Sequence, residues 1–212
     1  VYNTIPNPNL TWEKEKQLDI GFDYGFLKNR INGTIEGYYK RTSDLLWTVP
    51  LPLESGYRSS LTNVGMLDNK GIEFNINSLN FDNKNFQWTT SFNFSLNHNK
   101  IVELYENKKD VNKSLFVEHS IGEYYLLKNL GIWQLNEAAE AARYNCEPGD
   151  RKVFDKNGDG VINADDRDFA GQSIPTYFGS LTNTLKYKKF DFVLFMTYAG
   201  GNKIDNYLNR YL

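Results

Sequence analysis

Oxygen-bearing side chains at fixed intervals form the one chemically suggestive pattern in this sequence. It is Asp155-Lys156-Asn157-Gly158-Asp159-Gly160-Val161-Ile162-Asn163-Ala164-Asp165-Asp166. Asp155, Asn157 and Asp159 take positions one, three and five of a twelve-residue calcium loop, and Gly160 takes six, where such a loop turns sharply. Val161 offers its carbonyl at seven, Asn163 a side-chain oxygen at nine, and Asp166 closes the loop at twelve, where a bidentate Glu is usual. A hard cation takes oxygen donors, and this order supplies them. The short arm of Asp166 and the two amide ligands predict weaker binding than in a signalling EF-hand. Val153-Phe154 before the loop and Phe169, Gly171 and Pro175 after it do not form two paired helices. The expectation is therefore a structural calcium site. The alternative is a loop whose Asx turns cap its own backbone.

Other chemistry is sparse. His98 ends a strand pattern and His119 lies in a connecting stretch, with no second His at ligand spacing. The single Cys146 excludes a disulfide or a Cys-based zinc site within this chain. Nucleophile elbow, P-loop and dinucleotide fingerprint are all missing from the sequence. The neighbours Asp165 and Asp166 fit the loop better than a glycosidase pair. No catalytic or cofactor-binding residue is expected, and the chain is not expected to be an enzyme.

The whole composition narrows the class. The 212 residues carry 24 Lys+Arg against 26 Asp+Glu, a formal net charge of −2. That near-neutral balance argues against a nucleic-acid partner. No apolar run approaches the ~18 residues of a membrane helix. Val1 and Tyr2 lead straight into a polar, Pro-containing stretch without a signal peptide, so the chain is either a mature start or a piece of a longer one. Aromatics reach 15%, and 26 residues are Asn, a mixture that disfavours helix and favours strands joined by turns. The class expected is all-β.

Strict alternation supplies the elements. From Leu18 to Phe26 every even position is apolar or aromatic and every odd one is Asp or Gly. Successive side chains of a strand point to opposite faces, so this segment has one apolar and one polar wall. After the turn Leu27–Arg30, the strand Ile31–Arg41 follows. Ile72, Phe74 and Ile76 alternate with Glu73, Asn75 and Asn77; Phe86, Trp88, Thr90, Phe92, Phe94 and Leu96 alternate with polar residues. Residues 176–187 and Phe190–Tyr198, joined by Lys188-Lys189, close the series. Hairpins are predicted at about 17–41, 71–99 and 176–199, with long excursions at about 42–70 and 100–175. The first excursion, with Trp47, Pro50 and Pro52, has no periodicity and is expected to be a packed surface loop. Asn136–Arg143 in the second is predicted as a short helix with Asn136 as its N-cap.

Strands of ten or more residues exceed the ~5–6 usual in soluble sheets and match membrane-crossing strands, apolar outside and polar inside. In an up-and-down order, all three tight turns fall at one end and both excursions at the other, the outer-membrane arrangement of short periplasmic turns and long extracellular loops. Tyr24, Phe26, Tyr39, Phe86, Trp88, Tyr187 and Phe190 stand near strand ends, where an interfacial girdle would lie. The prediction is an antiparallel up-and-down transmembrane β-barrel segment. The competing reading is a soluble, calcium-stabilised β-sandwich that binds carbohydrate through exposed Trp and Tyr. Such a sandwich would bury the same apolar faces under a second sheet.

Several fragments stand out in order: Asn7–Lys14, Tyr38–Leu46, Asn63-Val64-Gly65 with Asn69–Phe74, Gly131–Gln134, Pro148-Gly149-Asp150, Asn157–Asn163 with Asp166-Arg167, and Gly201–Ile204. Together they resemble SusC/RagA-type TonB-dependent outer-membrane transporters. The resemblance implies a part of a C-terminal barrel of about 22 strands, lodged in the outer-membrane lipid of a Gram-negative bacterium. It further implies energy supplied by TonB through regions not in this chain, and a SusD-like surface lipoprotein that captures glycan or peptide substrate. The plug domain of that family has no counterpart in residues 1–212.

Overall fold

A computed structural model describes residues 2–105, 110 and 114–205. Two compact units emerge, Val1–Ile121 with Ile174–Asn202 and Gly122–Ser173 with Lys203–Leu212.

The first unit is built on long strands. These are β2 (Lys14–Phe26), β3 (Ile31–Ser43), β6 (Met66–Asp82), β7 (Phe86–Glu103), β12 (Tyr177–Tyr187) and β13 (Phe190–Gly200). They lie side by side in chain order, each antiparallel to the next, as a six-stranded meander with β2 and β13 at its open edges. The alternation sets their register. Phe22 stands opposite Ile35, Ile35 opposite Phe74 and Phe74 opposite Phe94, so apolar side chains from neighbouring strands share one face. On the other face Asp23, Thr34, Asn75, Asn93, Ser180 and Thr197 form a row. A slip by one residue would exchange the two faces, and for this reason the register is strongly specified.

Among the described residues no second layer covers the apolar face. Ile20 is 69% exposed, Phe22 67% and Phe192 61%. Each such side chain gains ~1.5–3 kcal/mol when taken out of water. A second sheet over this face would have buried them, and the exposure speaks against the sandwich. The sheet is a barrel wall that is not closed within this chain.

The middle hairpin is longer than the alternation indicates, 66–103 rather than 71–99. Its ends carry Asp68, Lys70, His98 and Lys100 on the otherwise apolar face, so the period-two contrast fades while pairing continues. The first excursion is also more regular than its Pro content suggests. It holds β4 (Leu46–Pro50) and β5 (Tyr57–Asn63), which form a three-stranded sheet with β1 (Tyr2–Ile5), β5 in the centre. Pro50 ends an edge strand, where a missing N–H costs no ladder bond.

The second unit holds two small antiparallel pairs. One joins β8 (Glu123–Leu127) to β11 (Arg167–Gln172), the other β9 (Asn129–Ile132) to β10 (Arg151–Val153). The predicted helix at 136–143 is a 3₁₀ turn over Leu135–Glu137, one α-helical turn over Ala138–Ala141 and another 3₁₀ turn over Ala142–Tyr144. Its cap is Gln134, not Asn136. Glu137 reaches back to accept from the Gln134 backbone N–H at 3.0 Å, which completes a capping box two residues early. Ala141 and Trp133 are buried, with Tyr144 stacked 5.8 Å from the Trp133 ring and the Lys152 ammonium 4.2 Å above it.

Candidate functional site

Among the described residues two places are candidates for functional chemistry: the polar face of the six-stranded sheet and the loop at 155–166.

The polar face is a lattice of amides and hydroxyls. Asn77 donates to Asn75 at 2.9 Å, and Ser91 donates to Asn77 at 2.8 Å. Asn93 donates its amide to the Ser180 hydroxyl at 2.7 Å and accepts from the Ser180 backbone N–H at 2.9 Å. Glu36 stands directly opposite Glu73, with Asp19 and Asp23 on the adjoining strand. Like charges paired across strands weaken a sheet. They are tolerable where water solvates them, and this face can hydrogen-bond a polar solute except toward the edge strand β13, where Val193 and Phe195 stand on it.

Outward polar residues near the tight turns are fewer and are satisfied locally. Ser78 donates to Asn80 at 2.8 Å, and Asn80 donates to Thr90 at 2.6 Å. Thr90 and the Trp88 indole N–H both donate to Asn183, at 2.7 and 3.0 Å. A polar group in hydrocarbon must find its partner within the protein, and these five residues each have one. Alternation alone did not reveal this chain of bonds; the polar exceptions Ser78, Thr90 and Asn183 in an otherwise apolar set were its signal.

At the other end of the strands Asn63 is a clamp. It accepts from the Thr11 N–H at 2.8 Å and donates to the carbonyls of Thr11 at 2.8 Å and Asp44 at 2.9 Å. Asn7 adds a bond to the Leu61 carbonyl at 3.0 Å, and Glu13 accepts from the Leu46 N–H at 2.9 Å. The Asn7–Lys14 and Asn63-Val64-Gly65 fragments, distant in sequence, are thus one hydrogen-bonded structure that leaves Trp12 90% exposed. Beside it Arg41 grips Asp68 through two bonds of 2.7 and 2.8 Å, and the Tyr39 hydroxyl adds a third at 2.8 Å.

The 155–166 loop is braced from within. The Asp155 carboxylate accepts from the N–H groups of Gly158 at 2.7 Å and Gly160 at 2.9 Å, and from the Tyr144 hydroxyl at 3.3 Å. Asp159 accepts from Val161 N–H at 2.8 Å and from the Asn157 amide at 2.9 Å. Asp166 is wholly buried; its two oxygens take the N–H groups of Lys156 at 2.9 Å and Asn163 at 2.8 Å. Those backbone bonds, Asn163 first, hold the Asp166 carboxyl below the usual carboxylate range although burial opposes them. Asn163 caps the 3₁₀ turn Ala164–Asp166 by accepting from the Asp165 N–H at 2.7 Å. The loop thus brings Asp155, Asn157 and Asp159 together around one turn, and Asn163 and Asp166 together around a second. Among the described residues no three Asp, Glu, His or Cys side chains converge as a metal cluster. Neighbouring Lys156 pairs with Asp168 at 2.9 Å, which holds that carboxyl low as well.

Comparison with known proteins fixes the family. The family described as TonB dependent receptor-like, beta-barrel matches residues 1–211. This chain belongs to it. Among relatives of this barrel family, TonB-dependent receptor P3 of Formosa agariphila is 36% identical over 222 residues, spanning 98% of this chain and 22% of its own length. TonB-dependent receptor SusC of Bacteroides thetaiotaomicron is 33% identical over 199 residues, 88% of this chain and 19% of its own length. The RagAB peptide importer in its open-open state shares the fold at a TM-score of 0.80 and 23% identity, over 94% of this chain and 22% of its own. The barrel segment is of the SusC/RagA type, and it spans about a fifth of the length of these relatives. They are receptors and transporters.

Proposed function

We propose that this chain is part of the wall of an outer-membrane importer in a Gram-negative bacterium, which takes up glycans or oligopeptides with a SusD-like surface lipoprotein. Energy would come from TonB through regions outside this chain. The observation that carries the reading is the two-faced meander: one face apolar and bare, the other rich in amides, hydroxyls and carboxylates from β2 to β12, with Val193 and Phe195 on it only at the edge strand β13. In that arrangement lipid covers the first face and water fills the space beside the second. The wall forms and breaks no covalent bond. Its Asn, Ser and Thr side chains offer a passing polar solute successive hydrogen bonds, each replaceable by water, so that nothing is held tightly on the way. The named relatives support the coarse reading, and the likeness to RagAB, a peptide importer, supports a peptide as one substrate class.

The test uses the intact protein in cells with and without its lipoprotein partner. Uptake of a labelled oligosaccharide or oligopeptide mixture should require both proteins and TonB. Undiminished uptake after deletion of the barrel protein would overturn the proposal.

We infer further that the 155–166 loop takes a structural calcium ion. Asp155, Asn157, Asp159, Asn163 and Asp166 would supply side-chain oxygens, and Val161 its carbonyl. The existing bonds fit this role, since a carboxylate offers about four lone pairs and those to backbone N–H use only some of them. Titration calorimetry of calcium into the intact protein should release or absorb heat, and the signal should vanish in Asp159→Ala. No heat in the unaltered protein would reject the ion and leave a self-capped loop.

A further inference from the structure

We propose that the outward face of the first unit holds a binding groove for the phosphorylated glycolipid of the outer leaflet. The inference rests on the membrane orientation proposed above.

Four glycines, Gly33, Gly37, Gly179 and Gly200, lie on this apolar face. Three are roofed by a tyrosine from the neighbouring strand. Tyr24 crosses Gly33 and donates to the Asn75 carbonyl at 3.1 Å; Tyr198 crosses Gly179 and donates to the Asn93 carbonyl at 2.9 Å; Tyr177 lies over Gly200. Gly37 has no such roof. A Cβ built there would meet only the Gly71 carbonyl, at 4.0 Å. The result is a groove of about 480 Å³ with Gly37 on its floor and Leu18, Ile20, Ile72 and Leu96 as walls. All four walls are more than 40% exposed, and the lining offers an acyl chain apolar contact along its length.

The rim at one end of this groove is cationic. Lys70 and His98 line it, paired across β6 and β7 at the end of the strands where the excursions begin. One row further out on the same face stand Lys16, Arg41, Asp68 and Lys100. Arg41 is engaged by Asp68, and Lys100 by Glu118 at 2.8 Å. Lys16 and Lys70 are exposed and make no ion pair among the described residues. Two uncommitted ammonium groups and an imidazole above an apolar slot complement a phosphate attached to acyl chains. The opposite end of the strands would face the inner leaflet. There the outward residues are the rings of Phe26, Phe86, Trp88, Tyr187 and Phe190, with Lys188 and Lys189 in the turn.

Native mass spectrometry of the intact protein in detergent tests the assignment, with lipid A, dephosphorylated lipid A and phosphatidylglycerol as probes. Lipid A should bind, and removal of its phosphates should weaken it about tenfold. Gly37→Leu, which the open space above Gly37 accommodates, should weaken lipid A by a similar factor through filling the groove. Lys70→Gln should do so by removing charge, without any change to the apolar walls. Equal binding of lipid A to all three proteins overturns the proposal, as does phosphatidylglycerol binding as tightly as lipid A. The membrane reading has its own readouts, co-sedimentation with outer membranes and a heat-dependent shift in gel mobility. A protein that fails both sinks the barrel reading and the groove together. One that passes both but binds lipid A indifferently sinks the groove alone.

Discussion

At the scale of single residues, the glycines beneath tyrosines separate space from sequence identity. Gly33 and Gly37 lie four residues apart on one strand and one face, yet a Cβ at Gly33 would run into the Asn75 carbonyl and the Tyr24 hydroxyl. Gly33→Ala should destabilise the inserted protein by about 1–3 kcal/mol, the usual cost of overpacking. Gly37→Ala should lie within about 0.5 kcal/mol of the parent in the same urea titration of the protein in lipid vesicles. Asn63 offers a second case. Its amide satisfies three backbone groups, and Asn63→Ala leaves them without that partner, at roughly 1–3 kcal/mol. Faster hydrogen exchange at the Thr11 amide and faster proteolysis near residues 7–13 would show it. The importance of Asn63 was visible only as a motif letter, since nothing in an Asn says which distant peptide it will hold.

At the scale of elements, strand β2 and the short pairs of the second unit behave differently. Phe22 sits mid-strand on the apolar face, and Glu36, on the neighbouring strand, stands on the polar face. Phe22→Arg should cost about 2–4 kcal/mol of insertion free energy, while Glu36→Arg should cost well under 1 and relieve repulsion with Glu73. Equal penalties would mean the faces are assigned wrongly. In the second unit, Lys152 joins Glu137 at 2.7 Å and covers the Trp133 ring. The pairing holds the Glu137 carboxyl below its ordinary 4.5 and the Lys152 ammonium above its ordinary 10.5. A lowered carboxyl contributes stability above its unfolded value, lost as pH falls through the folded one. A raised ammonium contributes below its unfolded value, lost as pH rises through the folded one. Trp133 fluorescence, in a protein whose other tryptophans are replaced by Phe, should therefore stay flat between about pH 5 and 10. It should change only outside that window, and Lys152→Met should abolish both transitions.

For the whole molecule, the decisive fact is the absence of closure. Among the described residues the six strands end in open edges at β2 and β13, whose outer N–H and C=O rows hydrocarbon cannot satisfy. Within a complete barrel further strands cover both edges, which agrees with a chain that spans about a fifth of its relatives. Expressed alone with detergent, residues 1–212 should associate into higher oligomers through those edges, measurable by light scattering. A monodisperse, cooperatively melting monomer would contradict the open-edge argument.

Period-two alternation was enough to give the six long strands, their faces and their up-and-down order, because side-chain direction in an extended chain follows from local geometry and needs no partner. Twelve-residue spacing likewise marked the loop at 155–166. Only the tertiary structure decided where the alternation gives way: that β6 and β7 outrun their apolar stretches, that Gln134 caps the turn assigned to Asn136, and that a Pro-rich excursion forms a three-stranded sheet. It also decided that tyrosines roof Gly33, Gly179 and Gly200 on the outward face but leave Gly37 open. These features arise from contacts between residues tens of positions apart, whose energies depend on which groups meet, and a one-dimensional pattern carries no record of meeting.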